Sequence, residues 1–469
     1  MKTIKFSPFG GFLFLMASLT LVNCAKPDYA AYYDSMVKEL SSDGYNGRSV
    51  DGNGDIKAAR FIISQLQTIE DIQPQGTDGM RDSYNVAYPQ YKSVVEPCDE
   101  GRWIEEDAAS SCLPYLQSFC FPMNIMRGAM TVAVDGKTLN PTYDYTAKEF
   151  SPSCHGEFDI VYMPDDQVTE EDFVKWLNDG RFANSFVVVN WNRYLELPAP
   201  AFERYQPYLG KLDKVGGIIM KDNELFPYFK ARSYYTLNMP VLMANGDFPE
   251  DAKKISVDID AQMLPSRDAH NVIAWLPGTN PELKEYVTFI AHYDHLGAMG
   301  ADNVYPGAND NASGAAMLLA LAKYYGANRP EYGIQFIFLD AEEANLLGAF
   351  YYCENPALPL EDAKMLINLD MVADTGDHLA TEASENAMPV LEKIRELNAD
   401  GTFPPFDVAL QDFSDNSDHY AFGLKGVPSM YFSTEGDFYQ HYHSPRDTHE
   451  NTTLENFDRL FGLIVRLVK

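Results

Sequence analysis

Apolar and polar positions divide the chain into three textures. Near the start, Ala58 to Leu66 repeats an apolar residue every three or four positions, the period of an amphipathic helix, and Asp28 to Gln67 reads as helical around a Gly-rich break. Residues 86–128 are mixed and rich in Pro, Cys and aromatics. From about Met130, short β-like runs recur between turn-formers: 130–134, 158–162, 186–190, 216–220 and 240–243. They predict a self-contained β-rich module over 130–262. After Arg267 apolar strands alternate with helices. Strands are expected at 270–276, 286–291, 334–339, 365–369 and 427–432, helices at 313–325 and 343–352, and a last helix opening on a Thr452-Thr453-Leu454-Glu455 capping box. Continuous apolar strands between helices predict an α/β fold: a mixed, mostly parallel sheet flanked by helices on both faces, with an inserted β-rich domain. The domain reading is 25–129 for an N-terminal part with a Cys-containing insertion, 130–262 for the module and 263–469 for the catalytic part.

The first 24 residues stand apart. Lys2 and Lys5 precede an apolar run from Phe12 to Val22 that is too short to span a membrane as a mature helix. Leu21-Val22-Asn23-Cys24 is similar to a bacterial lipoprotein cleavage site with Cys24 as the lipidated residue; Asn23 departs from the usual small residue, and an ordinary secretory signal is the alternative. Either predicts export to the periplasm or cell envelope, with membrane contact only through an anchor at Cys24. Outside the cytoplasm disulfides are permitted, and Cys98, Cys112 and Cys120 lie close enough in sequence for two of them to pair. Cys154 and Cys353 complete an odd set, which leaves at least one free thiol. At 469 residues the chain is long enough for more than one core. Its formal net charge of −32 argues against nucleic acid as a partner and favours metals and amines.

Chemistry concentrates after the predicted strands. His292-Tyr293-Asp294, Asp310 in Pro-Gly-Ala-Asn-Asp-Asn, the Glu342-Glu343 pair, Asp370 and His443 each follow or adjoin a strand end. In an open α/β sheet, that is where ligands bind. Taken singly these are ordinary residues: a hydrogen-bonded His, a turn Asp, a Glu pair favoured by a helix dipole. Jointly, imidazoles and carboxylates without thiolates suit a hydrolytic zinc site with open positions. A bridging carboxylate would allow two metals about 3.5 Å apart.

The ordered strings Ala-His-Tyr-Asp (291–294), Pro-Gly-Ala-Asn-Asp-Asn-Ala-Ser-Gly (306–314), Phe-Leu-Asp-Ala-Glu-Glu (338–343), Asn-Leu-Asp-Met (368–371), Ser-Asp-His-Tyr-Ala-Phe (417–422) and Tyr-His-Ser-Pro-Arg-Asp-Thr (442–448) carry a family resemblance. Residues 270–469 resemble the zinc exopeptidases related to bacterial leucyl aminopeptidase, aminopeptidase S and glutamate carboxypeptidase. The resemblance implies two zinc ions per chain. One would be held by His292 and Asp370, the other by Glu343 and His443, with Asp310 bridging. It makes Glu342 the general base and Asp294 the residue that orients His292. Tyr442 and His419 are candidate substrate contacts. His295 is read as a local hydrogen-bonding residue in the cleft, His441 and His449 as loop residues. Many relatives carry a protease-associated domain, which residues 130–262 match in position and texture.

The expected substrates are peptides with a free N-terminus, because carboxylates are plentiful and Arg446 is the one arginine inside a motif. Carboxypeptidase or dipeptidase action and glutaminyl cyclisation are the alternatives within the fold. A binding lipoprotein on a dead scaffold is the alternative from another class. Oligomeric state is not readable from the chain.

Overall fold

Buried apolar residues on alternate positions of the strands sort to opposite sides of one large sheet. Val272, Ala274, Phe289 and Ala291 join a cluster with Val37, Ile62, Leu319 and Ile464. Ile273, Ile290, Ile337 and Leu366 join Ala349, Tyr352 and Phe422 on the other side. This is the period-two consequence of a strand covered on both faces. The computed structural model describes residues 27–49, 52–76, 80–83, 101–102, 112–163, 180–190, 215–221, 235–437 and 439–469. The predicted leader, Cys24 and Cys98 lie outside them. No helix among the described residues is long and apolar enough to cross a membrane.

Eight strands carry the large sheet: β1 (Leu116–Ile125), β2 (Gln262–Leu276), β3 (Tyr286–His292), β4 (Gly333–Leu339), β5 (Ala363–Leu369), β6 (His378–Ala383), β7 (Asp407–Leu410) and β8 (Ser429–Glu435). Their order is β7-β6-β8-β5-β3-β4-β2-β1, extended past β1 by short strands at Met80–Ser83 and Gly101–Arg102. The core run β4-β3-β5-β8 is parallel, and β2 closes it antiparallel to β4. Helices α1 (Tyr29–Leu40), α2 (Gly54–Leu66), α3 (Gly314–Ala327), α5 (Met388–Asn398) and α7 (Phe457–Leu467) cover one face. Helices α4 (Leu347–Glu354) and α6 (His419–Leu424) cover the other. Helix α3 is buried from Gly314 to Ala322, so its apolar run has no amphipathic stripe.

A second, eight-stranded sheet draws its strands from Met130–Val134 to Lys254–Ile259. It hangs from the large sheet on two paired strands, because β1 enters it and β2 leaves it, with Ile125 opposite Gln262. Strand β1 lies in the stretch whose sequence reads as irregular. It is buried almost throughout, and one-sided alternation is therefore missing from it. Cys120 on β1 is disulfide-bonded, while Cys112, Cys154 and Cys353 are free thiols.

Two expected helix starts shift. Helix α4 begins at Leu347, not Glu343, since Ala341, Asn345 and Leu346 have φ of 57°, 65° and 59°. The Glu342 and Glu343 amides donate to the Asp294 carboxylate, so they sit on a turn rather than a helix N-terminus. The capping box at Thr452–Glu455 does not form. The Thr453 amide donates to Ala373 O, its hydroxyl accepts from Glu455 N, and the helix starts at Phe457.

Candidate metal centre

Each metal-binding side chain of the prediction stands at the carboxyl end of a core strand or on a loop packed there. His292 is the last residue of β3, Asp370 follows β5, and Glu342 and Glu343 lie on the turn after β4. Asp310 precedes α3, and its loop is the hub. Asn311 Nδ2 donates to Leu369 O, and Asn311 Oδ1 accepts from Met371 N, tying this loop to the Asp370 loop. Asp447, four residues past His443, accepts from the amides of Asn309 and Asp310 at 2.8 and 2.9 Å. Gly307 has φ +62°, and a Cβ there would strike Asp310 O and the His295 ring.

The donors form two groups that share Asp310. His292, Asp310 and Asp370 bring ligand atoms within 4.8 Å of one another, and so do His295, Asp310 and Glu343. His292 Nε2 is 3.3 Å from Asp310 Oδ1 and 3.4 Å from Asp370 Oδ1. On the other side His443 Nε2 is 3.1 Å from Asp310 Oδ2 and 3.4 Å from Glu343 Oε2. A tetrahedral zinc with bonds of about 2.0–2.1 Å separates its ligand atoms by about 3.3 Å, so both groups fit such an ion. Asp310 Oδ2 and Asp370 Oδ1 are buried and accept no hydrogen bond, a state that calls for a cation.

His295 departs from its expected local role. It is fully buried, with Nδ1 2.8 Å from Glu343 Oε1 and 3.7 Å from Asp310 Oδ2, and its ring meets that of His443 edge-on. Asp294 also differs in detail. The closer acceptor for His292 Nδ1 is the Asp294 carbonyl at 3.2 Å, with the carboxylate at 3.6 Å. That carboxylate instead holds the peptide that carries Glu342 and Glu343. Glu342 Oε2 lies 4.0 Å from His292 Nε2, at the edge of the first group.

Charges here are strongly coupled. Burial pulls His443 down, but Glu343 and Asp310 outweigh it and raise its pKa to about 9. Burial likewise opposes the shift at His292, which Glu342 and Asp370 drive well above the usual imidazole range. Burial pushes Glu342 well above the carboxylate range against the pull of His292. The histidines overcome burial at Glu343 and Asp310 and hold both low. Asp418 was not singled out by its sequence context. It is fully buried, its two oxygens accept no hydrogen bond, and burial raises it well above its ordinary value.

Tyr442 stacks on the His443 ring at 3.8 Å and is 38% exposed, which places it at the rim. His419 is fully buried, with its Nε2 3.2 Å from Glu382 Oε2 and its ring packed on those of Phe413 and Tyr431.

A family model, peptidase family M28, matches residues 271–468. That stretch spans all of these donors. The chain is 27% identical over 220 residues to aminopeptidase YwaD of Bacillus subtilis (strain 168), across 43% of this chain and 45% of that protein. It is 31% identical over 200 residues to a probable leucine aminopeptidase 2 of Aspergillus oryzae, across 40% and 38%. The chain thus spans less than half the length of these curated relatives. Among solved structures, BSAP, a zinc aminopeptidase from Bacillus subtilis, superposes with a TM-score of 0.64 at 18% identity, covering 94% of this chain and 95% of that one. An aminopeptidase from Aneurinibacillus sp. strain AM-1 gives 0.60 at 17%, covering 94% and 93%. These two likenesses establish the fold, with strands and helices arranged as in those two structures.

Proposed function

We propose that this protein is a two-zinc exopeptidase of the M28 family that releases amino acids from the N-termini of peptides. The observation that carries the reading is the pair of donor groups sharing Asp310, with the Glu342 carboxylate 4.0 Å from the nearer imidazole. His292 and Asp370 would hold one ion, Glu343 and His443 the other, and Asp310 both; His295 adds an imidazole beside the second. Zinc bound there would polarise the scissile carbonyl and lower the pKa of water. Glu342 takes the proton of the attacking water and delivers it to the leaving amine, and burial raises its pKa above the ordinary carboxylate range. Asp294 keeps the Glu342–Glu343 peptide in place through its two amide hydrogen bonds.

Choice of the N-terminus rests on hydrogen-bond acceptors: the carboxyl groups of Glu342 and Asp370 beside the first donor group can accept from the N–H groups of a free amine. Arg48, buried against these loops, gives its donors to backbone carbonyls rather than to a substrate carboxylate. The module over 130–262 reads as protease-associated. We place the protein in the cell envelope, exported on residues 1–24 and lipidated at Cys24; fatty-acid labelling that persists in Cys24→Ala would overturn the anchor.

The deciding experiment compares free and N-blocked peptides with added zinc, for the wild type and Glu342→Gln. Free N-termini are expected to be cleaved, and the variant to lose about 10²–10⁴-fold in kcat with its zinc retained. Release of C-terminal residues from blocked peptides would favour a carboxypeptidase. Absence of zinc uptake and of turnover would favour a binding protein.

A further inference from the structure

Among the described residues Arg48 is the largest side chain that is completely buried, and no motif surrounds it. It ends the Asp43–Arg48 turn between α1 and α2, far in sequence from every metal-binding residue. A guanidinium carries five N–H donors in a fixed fork. All five end on backbone carbonyls. Nε donates to Tyr293 O at 2.7 Å. One Nη donates to Leu40 O at 3.0 Å and Pro306 O at 2.6 Å. The other donates to Gly307 O at 2.6 Å and Asp310 O at 3.3 Å.

Four of those five carbonyls belong to the two loops that present His292, Asp294, His295 and Asp310. The backbone of the same segment continues the attachment: His295 N donates to Arg48 O and Gly297 N to Gly47 O. Asp447 grips the Asp310 loop from the opposite side through its amides. The loop is therefore held by its carbonyls on one side and by its N–H groups on the other. With its donors all on carbonyls, the Arg48 charge meets the carboxylates of Asp447, Asp310, Asp294 and Glu343 only through space. It is thus a fixed positive charge behind a cluster of acids that must be brought close together.

We propose that Arg48 is a positioning residue of the metal centre: its fork sets the spacing of the His292 and Asp310 loops, and so sets zinc affinity. This rests on the two-zinc reading above. A buried polar group would serve stability alone if the loops kept their spacing without it. The alternative is separable, because outer partners of metal ligands typically change metal affinity about 10–100-fold when altered, whereas a remote core cavity does not.

The test measures zinc stoichiometry and affinity by competition with a chromophoric chelator, below each protein's melting range. It compares wild type, Arg48→Lys, Arg48→Met and Ile62→Ala, the last a cavity in the α2 core away from the site. Arg48→Lys keeps a charge but loses the fork, and is expected to bind zinc about 10–100-fold more weakly. Arg48→Met is expected to be weaker still, and Ile62→Ala unchanged despite its lower melting point. If Arg48→Met does not fold, Arg48→Lys decides. Wild-type affinity in Arg48→Lys, or an equal loss in Ile62→Ala, overturns the positioning role. A wild type that binds no zinc overturns the two-zinc reading instead.

Discussion

Replacing Asp294 with Asn tests how the turn bearing Glu342 and Glu343 is held. The carboxylate is fully buried and accepts from Glu342 N at 3.1 Å through Oδ1 and from Glu343 N at 3.4 Å through Oδ2. An amide of the same shape has one acceptor oxygen, so one of these N–H groups must face an NH₂. The shorter bond is expected to survive, which leaves Glu343 N facing a donor. Losing one hydrogen bond to a charged group costs about 1.5–3 kcal/mol, or about 10–150-fold in an equilibrium or rate constant. The loss should fall on the group built from Glu343, His443 and Asp310. Zinc titration of the variant should then show one site weakened by about that factor and the other little changed, with kcat/KM reduced in parallel. Two sites of wild-type affinity with full activity would refute the reasoning and return Asp294 to a role through His292 alone.

Metal removal should make stability fall with pH in a defined window. His443 in the metal-free fold is raised to about 9 against an ordinary value of about 6.5. Its contribution is therefore complete below about 6.5 and lost as pH climbs through 9. The melting temperature of chelator-treated protein should drop across that window while zinc-loaded protein holds steady; a flat profile for the stripped protein would contradict the geometry. His419→Ala should cost about 1.5–3 kcal/mol of stability by removing a partner of the buried Glu382 carboxylate, with KM for peptides unchanged. A raised KM at unchanged stability would restore the substrate contact expected from its motif. Met299→Ala should cost about 2–5 kcal/mol in chemical denaturation, because Leu296, Met299 and Tyr305 of the loop after His295 are buried in the apolar cluster of the β-rich module. An unperturbed midpoint would mean that module and loop are not mechanically joined.

Local sequence determined a good deal. Apolar runs at 286–291, 334–339 and 365–369 became β3, β4 and β5, since a strand buried on both faces has little choice but continuous apolar residues. His292, Asp310, Glu343, Asp370 and His443 were legible as one set because each adjoins such a strand or its loop. Only the tertiary structure decided the rest. Strand β1 hides in a stretch of Cys, Phe and Gln, as its pairing with β2 is made across the whole module. His295 changed meaning once its ring was seen beside Glu343, a contact that one-dimensional spacing does not encode. Glu382, which no local motif pairs with His419, turned out to be the partner of its buried ring. Arg48 left no trace in sequence, because its ligands are backbone carbonyls, which every residue possesses and no motif can record. Residue chemistry announces which side chains can bind a metal, but the loops that hold them apart are set by long-range hydrogen bonds that exist only in the folded chain.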